Sequence, residues 1–106
     1  MRRAAKVDQN QSEIVAALRK IGATVQPLHG VGSGCPDLLV GYRGVNYLVE
    51  VKDGSKPPSA RKLTPDQVEW HINWRGQVAV ADSRDAAIAV IMGDKSEQKS
   101  ADTRAD

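Results

Sequence analysis

The chain has 106 residues, with 15 Lys and Arg against 13 Asp and Glu, which gives a formal net charge of +2. A chain of this length supports one domain with a small core, so a two-domain enzyme is excluded. Its single cysteine, Cys35, excludes an intramolecular disulfide, and no Cys/His cluster has the spacing of a structural zinc site. The fold is therefore expected to depend on packing alone.

The imbalance between positive and negative charge lies at the two ends of the chain. Residues 1–6 carry three cations, residues 93–106 carry three cations and four anions, and residues 7–92 carry nine of each. Bulk charge therefore gives no argument for nucleic-acid binding. We expect a flexible N-terminus over residues 1–7, a single domain over residues 8–92 and a disordered polar tail over residues 93–106. The sequence shows neither a secretory signal nor a membrane span, so we expect a cytoplasmic protein.

The first half of the domain predicts one helix and three strands. The helix has apolar residues at spacings of three and four and ends at Gly22. The second and third strands form a hairpin whose turn is centred on Gly44 and Val45. The predicted boundaries are helix 12–21, strand 23–28, a glycine-rich loop 29–36, and strands 37–42 and 46–52.

The second half predicts two helices separated by a short strand. Thr64 and Pro65 have the chemistry of an N-cap and first helical residue, and Ser83 is a second N-cap. The predicted order is polar loop 53–63, helix 64–76, strand 77–81 and helix 84–92. The whole pattern, αβββαβα, predicts an α/β fold (α+β mixed sheet) with helices packed on its faces.

The predicted hairpin brings polar residues together. With this turn, Asp37 lies opposite Lys52 and Leu39 lies opposite Glu50, so the two acids and the lysine share one face. Such groups need mutual pairing or a hard cation when they are buried. Mg²⁺ suits them, because it takes one or two protein carboxylates and completes its shell with water and phosphate. The alternative is a cross-strand salt bridge between Asp37 and Lys52 with Glu50 solvated.

Four sequence elements, in this order, resemble the signature of the PD-(D/E)XK nuclease superfamily. They are Glu13 in the first helix, Gly34-Cys35-Pro36-Asp37, Glu50-Val51-Lys52, and Leu63-Thr64-Pro65-Asp66-Gln67. Over residues 10–92 the pattern is most similar to the stand-alone VRR-NUC branch, small phage and bacterial nucleases related to Holliday junction resolvases. The resemblance implies a restriction-endonuclease-like core and a Mg²⁺- or Mn²⁺-dependent DNA endonuclease in a bacterial or phage-infected cell. It also implies a homodimer and structure-selective cleavage of four-way junctions.

The resemblance also implies a role for each matching residue. Asp37 and Glu50 would bind the metal with the backbone carbonyl of Val51, and Lys52 would be the catalytic lysine. Glu13 would reach the metal site directly or through water; the alternative is a first-turn acid that complements the helix dipole. The implied catalytic set is Glu13, Asp37, Glu50, Lys52 and Gln67.

Candidate DNA contacts lie in the two loops that flank the hairpin. A phosphate cradle requires a helix after the glycines, whereas Pro36 and a strand follow them here. The loops can still contact a DNA backbone through amide and side-chain donors. The candidate DNA-binding residues are His29, Ser33, Lys56, Arg61 and Lys62.

Several other residues have a simpler interpretation than a functional one. Trp70, His71 and Trp74 share one side of the second helix with Gln67 by spacing. In a chain without Phe we expect the tryptophans to fill the core rather than stack on bases, and we expect His71 to be a surface or hydrogen-bonded residue. Cys35 has no evident base partner, so we do not expect a thiol nucleophile.

Two functional alternatives stay open alongside junction resolution. One keeps the nuclease chemistry with a flapped, nicked or nonspecific duplex as substrate. The other is a nucleic-acid-binding module that has the fold without catalysis.

Overall fold

A computed structural model describes residues 9–93 and contains three α-helices and a four-stranded sheet. The predicted order of elements is confirmed, and the sequence analysis missed a 3₁₀ turn at Pro58–Arg61. The predicted N-terminal segment and the predicted tail beyond Gly93 lie outside the described residues. The elements are α1 Gln11–Lys20, β1 Thr24–Pro27, β2 Leu38–Tyr42, β3 Val45–Val51, α2 Pro65–Asn73, β4 Ala79–Ala81 and α3 Arg84–Ile91.

The sheet is mixed, as expected. Its strand order is β1-β2-β3-β4, with β1, β2 and β3 antiparallel and β4 parallel to β3. The chain reaches β4 from β3 through α2, which is the crossover that a parallel pair requires. None of the helices within residues 9–93 has the length and apolar character needed to cross a bilayer.

The hairpin register differs from the prediction by two residues. Leu39 faces Leu48, not Glu50, and the turn consists of Arg43 and Gly44, whose φ angles are +52° and +81°. Two-residue hairpin turns of this kind need positive φ at both positions because their twist then matches that of the strands. Since side chains alternate with a period of two, a shift of two residues leaves the same residues on the same face.

The apolar core lies between one face of the sheet and the helices α1 and α3. Both helices bury an apolar stripe at helical spacing, and β2, β3 and β4 each contribute alternate residues to the core. Ser83 caps α3 as predicted, because its side chain accepts a hydrogen bond from the Ala86 amide. The buried apolar residues are Ile14, Leu18, Ala23, Leu38, Val40, Val49, Val51, Ala79, Ala81, Ala87, Val90 and Ile91.

Helix α2 lies on the opposite face of the sheet and packs differently. None of its residues is buried, and it contributes nothing to the apolar core of the described residues. The prediction that the tryptophans fill the core is therefore wrong: Trp70 is half-buried on α2 and Trp74, which follows the helix, is 40% exposed. The physical reason is that α1 and α3 already cover the apolar face of the sheet with aliphatic side chains.

Candidate active site

Two carboxylates face each other where the hairpin strands meet the glycine-rich loop. The observed register, continued by one residue from Leu38 and Val49, places Asp37 opposite Glu50. The Val51 amide donates a hydrogen bond to Asp37 Oδ2 at 2.7 Å, which fixes that carboxylate against β3. Glu50 is only 2% exposed although it is ionisable. A buried acid with a half-buried acid opposite it requires charge compensation from its surroundings.

Gln67 connects the two charged residues at the end of β3. The ammonium of Lys52 donates to Gln67 Oε1 at 2.7 Å, and Gln67 Nε2 donates to Glu50 Oε2 at 3.0 Å. Lys52 Nζ lies 3.9 Å from the same Glu50 oxygen. The three side chains therefore form one network on the face of the sheet opposite the core.

The start of α2 determines the orientation of the Gln67 amide. Its Oε1 also accepts a hydrogen bond from the backbone N–H of Thr64 at 2.9 Å. In return, Thr64 Oγ1 accepts a hydrogen bond from the backbone N–H of Gln67 at 3.3 Å. This is a capping box, in which two otherwise unpaired helix donors are satisfied reciprocally. Because the oxygen of Gln67 is held by the cap and by Lys52, its nitrogen points to Glu50. The side chain of Gln67, which the resemblance places in the catalytic set, thus has a defined orientation.

The salt-bridge alternative paired Lys52 with Asp37. Within residues 9–93, Lys52 instead forms its ion pair with Glu50, and Asp37 makes its hydrogen bond to the backbone of β3. The alternative relied on a register in which Asp37 faces Lys52, and that register is not the one observed.

The glycine-rich loop packs directly against the first turn of α2. Gly34 has a φ of +84°, and a Cβ at this position would collide with the Asp66 carbonyl oxygen. Only glycine fits both the backbone conformation and the close approach. This contact holds the segment leading to Asp37 beside the helix that carries Gln67.

Two further titratable groups adjoin the network. Burial raises the pKa of the Cys35 thiol, and the charges of Glu50 and Asp37 raise it further, so the thiol is protonated at neutral pH and is no nucleophile. Burial also lowers the pKa of His71, with a smaller contribution from the nearby Lys52 charge. The Nε2 atom of His71 is buried and makes no hydrogen bond within the described part of the chain. The pKa of Cys35 thus responds to the charges of the two acids, and the pKa of His71 responds to the charge of Lys52.

Comparison with solved structures shows the family to which the chain belongs. One matching structure is described as a VRR-NUC domain; it is 31% identical to this chain, and the alignment covers 84% of this chain and 97% of that one with a TM-score of 0.57. The chain belongs to the VRR-NUC family. No family model and no curated protein matches it. The resemblance seen in the sequence is confirmed, and the mixed α+β architecture agrees with the restriction-endonuclease-like fold of the family. The protein is accordingly a nuclease-type domain with a nucleic-acid partner.

Glu13 lies apart from the central acids of this VRR-NUC domain. It is exposed on the first turn of α1, where it lines a cavity of about 520 Å³ together with Asp53 and Asp82. Within residues 9–93 no group of three or more His, Cys, Asp or Glu side chains is arranged to hold a metal. Glu13 is therefore not gathered with Asp37 and Glu50, and its role at the metal site stays a prediction.

The neighbouring Asp53 has a local role. Its Oδ1 accepts hydrogen bonds from the Ser55 hydroxyl at 2.7 Å and from the Ser55 amide at 3.0 Å. These bonds lower the pKa of Asp53. The carboxylate thereby stabilises the turn that follows Lys52.

Asn10 is a site residue that sequence reasoning missed. Its Nδ2 donates to the Lys52 carbonyl at 2.9 Å and to the Asp82 carbonyl at 3.3 Å, so it joins the ends of β3 and β4 to the start of α1. The contacts span 42 and 72 positions of sequence. An asparagine before a helix signals only an N-cap, and Asn10 makes no side-chain cap bond here.

The predicted DNA contacts of the VRR-NUC domain are mostly open to solvent. Four of the five residues are exposed. The fifth, Arg61, is half-buried and forms an ion pair with Asp82, in which Nη1 and Oδ2 are 3.4 Å apart. Their part in binding stays a prediction. The exposed members are His29, Ser33, Lys56 and Lys62.

Proposed function

We propose that this VRR-NUC domain is a metal-dependent DNA endonuclease of the PD-(D/E)XK type, which hydrolyses phosphodiester bonds with an activated water. The observation that carries the proposal is the network of Glu50, Gln67 and Lys52 beside Asp37. A buried ammonium held against a buried carboxylate is costly as a purely structural device. It is typical of a site that handles charge developing on a substrate.

The donor set at this site fits Mg²⁺ or Mn²⁺. Asp37 and Glu50 supply hard carboxylate oxygens from adjacent strands, and one or two such groups are the usual protein share of a Mg²⁺ shell. Asp37, Glu50 and the Val51 carbonyl would hold the ion. When bound, the ion supplies Lewis-acid neutralisation of phosphate charge and lowers the pKa of coordinated water.

Lys52 has the position of the catalytic lysine in this proposal. Its side chain is only 11% exposed, and Gln67 Oε1 holds the ammonium in one orientation. A positive charge fixed in a water-poor site stabilises developing negative charge more strongly than one in bulk water. Lys52 would therefore orient the attacking water or stabilise the charge that develops at the phosphate. Gln67 is a positioning residue, since it acts through Lys52 and Glu50.

The proposed substrate is branched DNA, with a four-way junction as the leading candidate and a homodimer as the active form. A domain with so few buried residues has little room for a separate recognition module. Two copies would present two sites, which paired cleavage of a junction requires.

Replacement of the central residues tests the chemistry. Cleavage of supercoiled plasmid with Mg²⁺ should fall by roughly 100-fold or more in Asp37→Asn and in Lys52→Ala, because the first change removes a charged ligand of the proposed metal and the second removes the ammonium that acts on the water or the phosphate. Asp85→Asn and Lys20→Ala, which change the same residue types at exposed positions on α3 and α1, should retain wild-type rates. Unchanged cleavage in both site variants would contradict the proposed mechanism.

A panel of DNA structures tests the substrate. Rates on a four-way junction, a flap, a nicked duplex and a plain duplex of the same sequence should be highest on the junction, with paired symmetric nicks. The mass of the protein in solution should correspond to two chains. Equal rates on all four substrates would replace junction resolution by nonspecific cleavage, and binding without cleavage of any of them would leave a non-catalytic module.

A further inference from the structure

An aromatic cavity lies on α2 next to the proposed active site. Its volume is about 450 Å³, which exceeds the size of a single nucleobase. Trp70 and Trp74 stack with ring centroids 4.6 Å apart and planes 19° from parallel. The cavity is lined by Ser33, Asp66, Glu69, Trp70, Asn73 and Trp74.

The cavity and the charged network share their supporting elements. Gln67 and His71, one helical turn apart, belong to the side of α2 that faces the network. Trp70 is on the neighbouring side, with its ring edge-on to His71 at 6.3 Å. Ser33 belongs to the loop that leads to Asp37, and this loop touches the first turn of α2 at Gly34. A ligand in the cavity would therefore lie beside DNA bound at the proposed site.

The tryptophans are placed as a stacking surface rather than as packing for the fold. Neither belongs to the apolar core, and Trp74 remains 40% exposed. Large aromatic rings left at the surface are typical of binding sites. Proteins that bind single-stranded nucleic acid use such rings as platforms for unstacked bases.

The polar lining favours one kind of base. Asp66 and Glu69 contribute carboxylates, and none of the cavity-lining residues is a cation. The cavity therefore disfavours phosphate groups and favours hydrogen-bond donors. Carboxylates in protein–DNA complexes accept from amino groups on base edges, such as cytosine N4.

We propose that this cavity binds a nucleobase that carries an exocyclic amino group, presented by an unpaired nucleotide close to the cleavage site. The base must be unpaired and out of the stack, because in a duplex neighbouring bases cover both of its faces and leave none for a tryptophan ring. This inference rests on the proposed function for its position beside a cleavage site. It makes nucleotides that unpair at the branch point of a junction a determinant of substrate choice.

Metal-free binding tests the cavity without cleavage. Anisotropy of labelled single-stranded dC and dT oligomers of eight nucleotides, in EDTA, compares equal numbers of phosphates with different base edges. The wild type should bind the dC oligomer at least 5-fold more tightly than the dT oligomer. The chain has two tryptophans in all, so quenching of its tryptophan fluorescence by the dC oligomer should report on the cavity directly.

Variants separate stacking from edge recognition. Trp74→Ala should weaken dC binding by about 5-fold or more, since stacking contributes about 1–3 kcal/mol per base, and Trp74→Phe should restore most of the affinity. The double variant Asp66→Ala/Glu69→Ala should bring the dC-to-dT ratio close to one. Ile72→Ala is the matched control, because Ile72 is 63% exposed on the same helix and does not line the cavity.

Three outcomes would overturn the inference. The first is equal affinity of the wild type for the dC and dT oligomers, and the second is equal affinity of Trp74→Ala and Ile72→Ala for the dC oligomer. The third is quenching of the tryptophan fluorescence by an arginine peptide and not by the oligomers, which would assign the cavity to a cation. Cleavage of paired duplex with Mg²⁺, measured in parallel, distinguishes failure of the cavity proposal from failure of the nuclease proposal. Intact cleavage without base preference contradicts the cavity alone, whereas base preference without any cleavage contradicts the nuclease mechanism alone.

Discussion

The two faces of the sheet have different roles in the protein. On one face, α1 and α3 cover Leu38, Val49 and their neighbours with aliphatic side chains. On the other face, α2 lies over a charged network and has no buried residue of its own. The contrast shows that burial on a single face stabilises the fold, so the second face can keep an ammonium and a carboxylate beside an open surface.

The two faces also differ in how their helices are attached. Helix α3 is held by Ala87, Val90 and Ile91, which pack into the core. Helix α2 is held by the hydrogen bonds of Gln67 and by the close contact of Gly34 with Asp66. Polar attachment is directional, so it positions α2 accurately with little apolar burial. Changes on the core face should therefore alter stability, and changes on the site face should alter activity.

Adjacent leucines on β2 test this contrast most strongly. Leu38 is fully buried on the core face, whereas Leu39 is 37% exposed on the other. Leu38→Ala should lower the free energy of unfolding by about 2–5 kcal/mol because it leaves a cavity in the core. Leu39→Ala should cost less than about 1 kcal/mol. Urea denaturation of both variants measures the difference, and equal costs would contradict the assignment of one face to stability.

A pair of glycines tests the attachment of α2 to the loop. Gly34→Ala should destabilise the protein by about 2–3 kcal/mol, since the new Cβ meets the Asp66 carbonyl and the positive φ disfavours alanine. Gly32→Ala has a similar φ of +76° but open space around its Cβ, so it should cost only about 1 kcal/mol. Thermal unfolding of the two variants isolates the contact. Matching melting temperatures would show that the loop does not hold α2.

Gln67 tests whether polar attachment positions the catalytic groups. Gln67→Ala should lower kcat by about 10- to 100-fold with a smaller change in KM, as loss of a residue that orients active-site groups commonly does. Val68→Ala, at the next and exposed position of α2, should leave kcat unchanged. Thr64→Ala removes the side-chain acceptor of the helix cap without removing the Gln67 bonds to Lys52 and Glu50. A loss of kcat in Thr64→Ala as large as that in Gln67→Ala would indicate helix stability as the cause.

His71 gives the smallest expected effect, a dependence of stability on pH. Its pKa is lowered in the folded protein, so below about pH 6.5 the unfolded chain binds a proton that the folded chain does not. Stability should therefore fall as the pH decreases from 6.5 toward the folded pKa and level off below it. Urea midpoints at pH 7.5 and 5.5 measure this, and His71→Gln should reduce the difference between them. An identical difference in His71→Gln would refute the assignment.

Much of the site could be predicted because its motifs are local. Asp37, Glu50 and Lys52 share a face through the alternation of side chains, which survives a register shift of two residues. The cap formed by Thr64 and Gln67 also depends on neighbouring residues only. The hairpin register itself was wrong, since the turn uses Arg43 and Gly44. That choice depends on how the turn twist fits the whole sheet.

By itself, the sequence determined the order of the helices and strands, the N-caps and the shared face of the charged residues. Each of these follows from interactions between residues close in the chain or from a fixed side-chain period. Only the tertiary structure decided that Asn10 joins β3 to β4, that Gln67 bridges Lys52 and Glu50, and that Trp70 and Trp74 form a cavity. These features depend on which surfaces are already covered when distant segments meet. The aliphatic helices covered the core face, and the tryptophans were left beside the proposed active site.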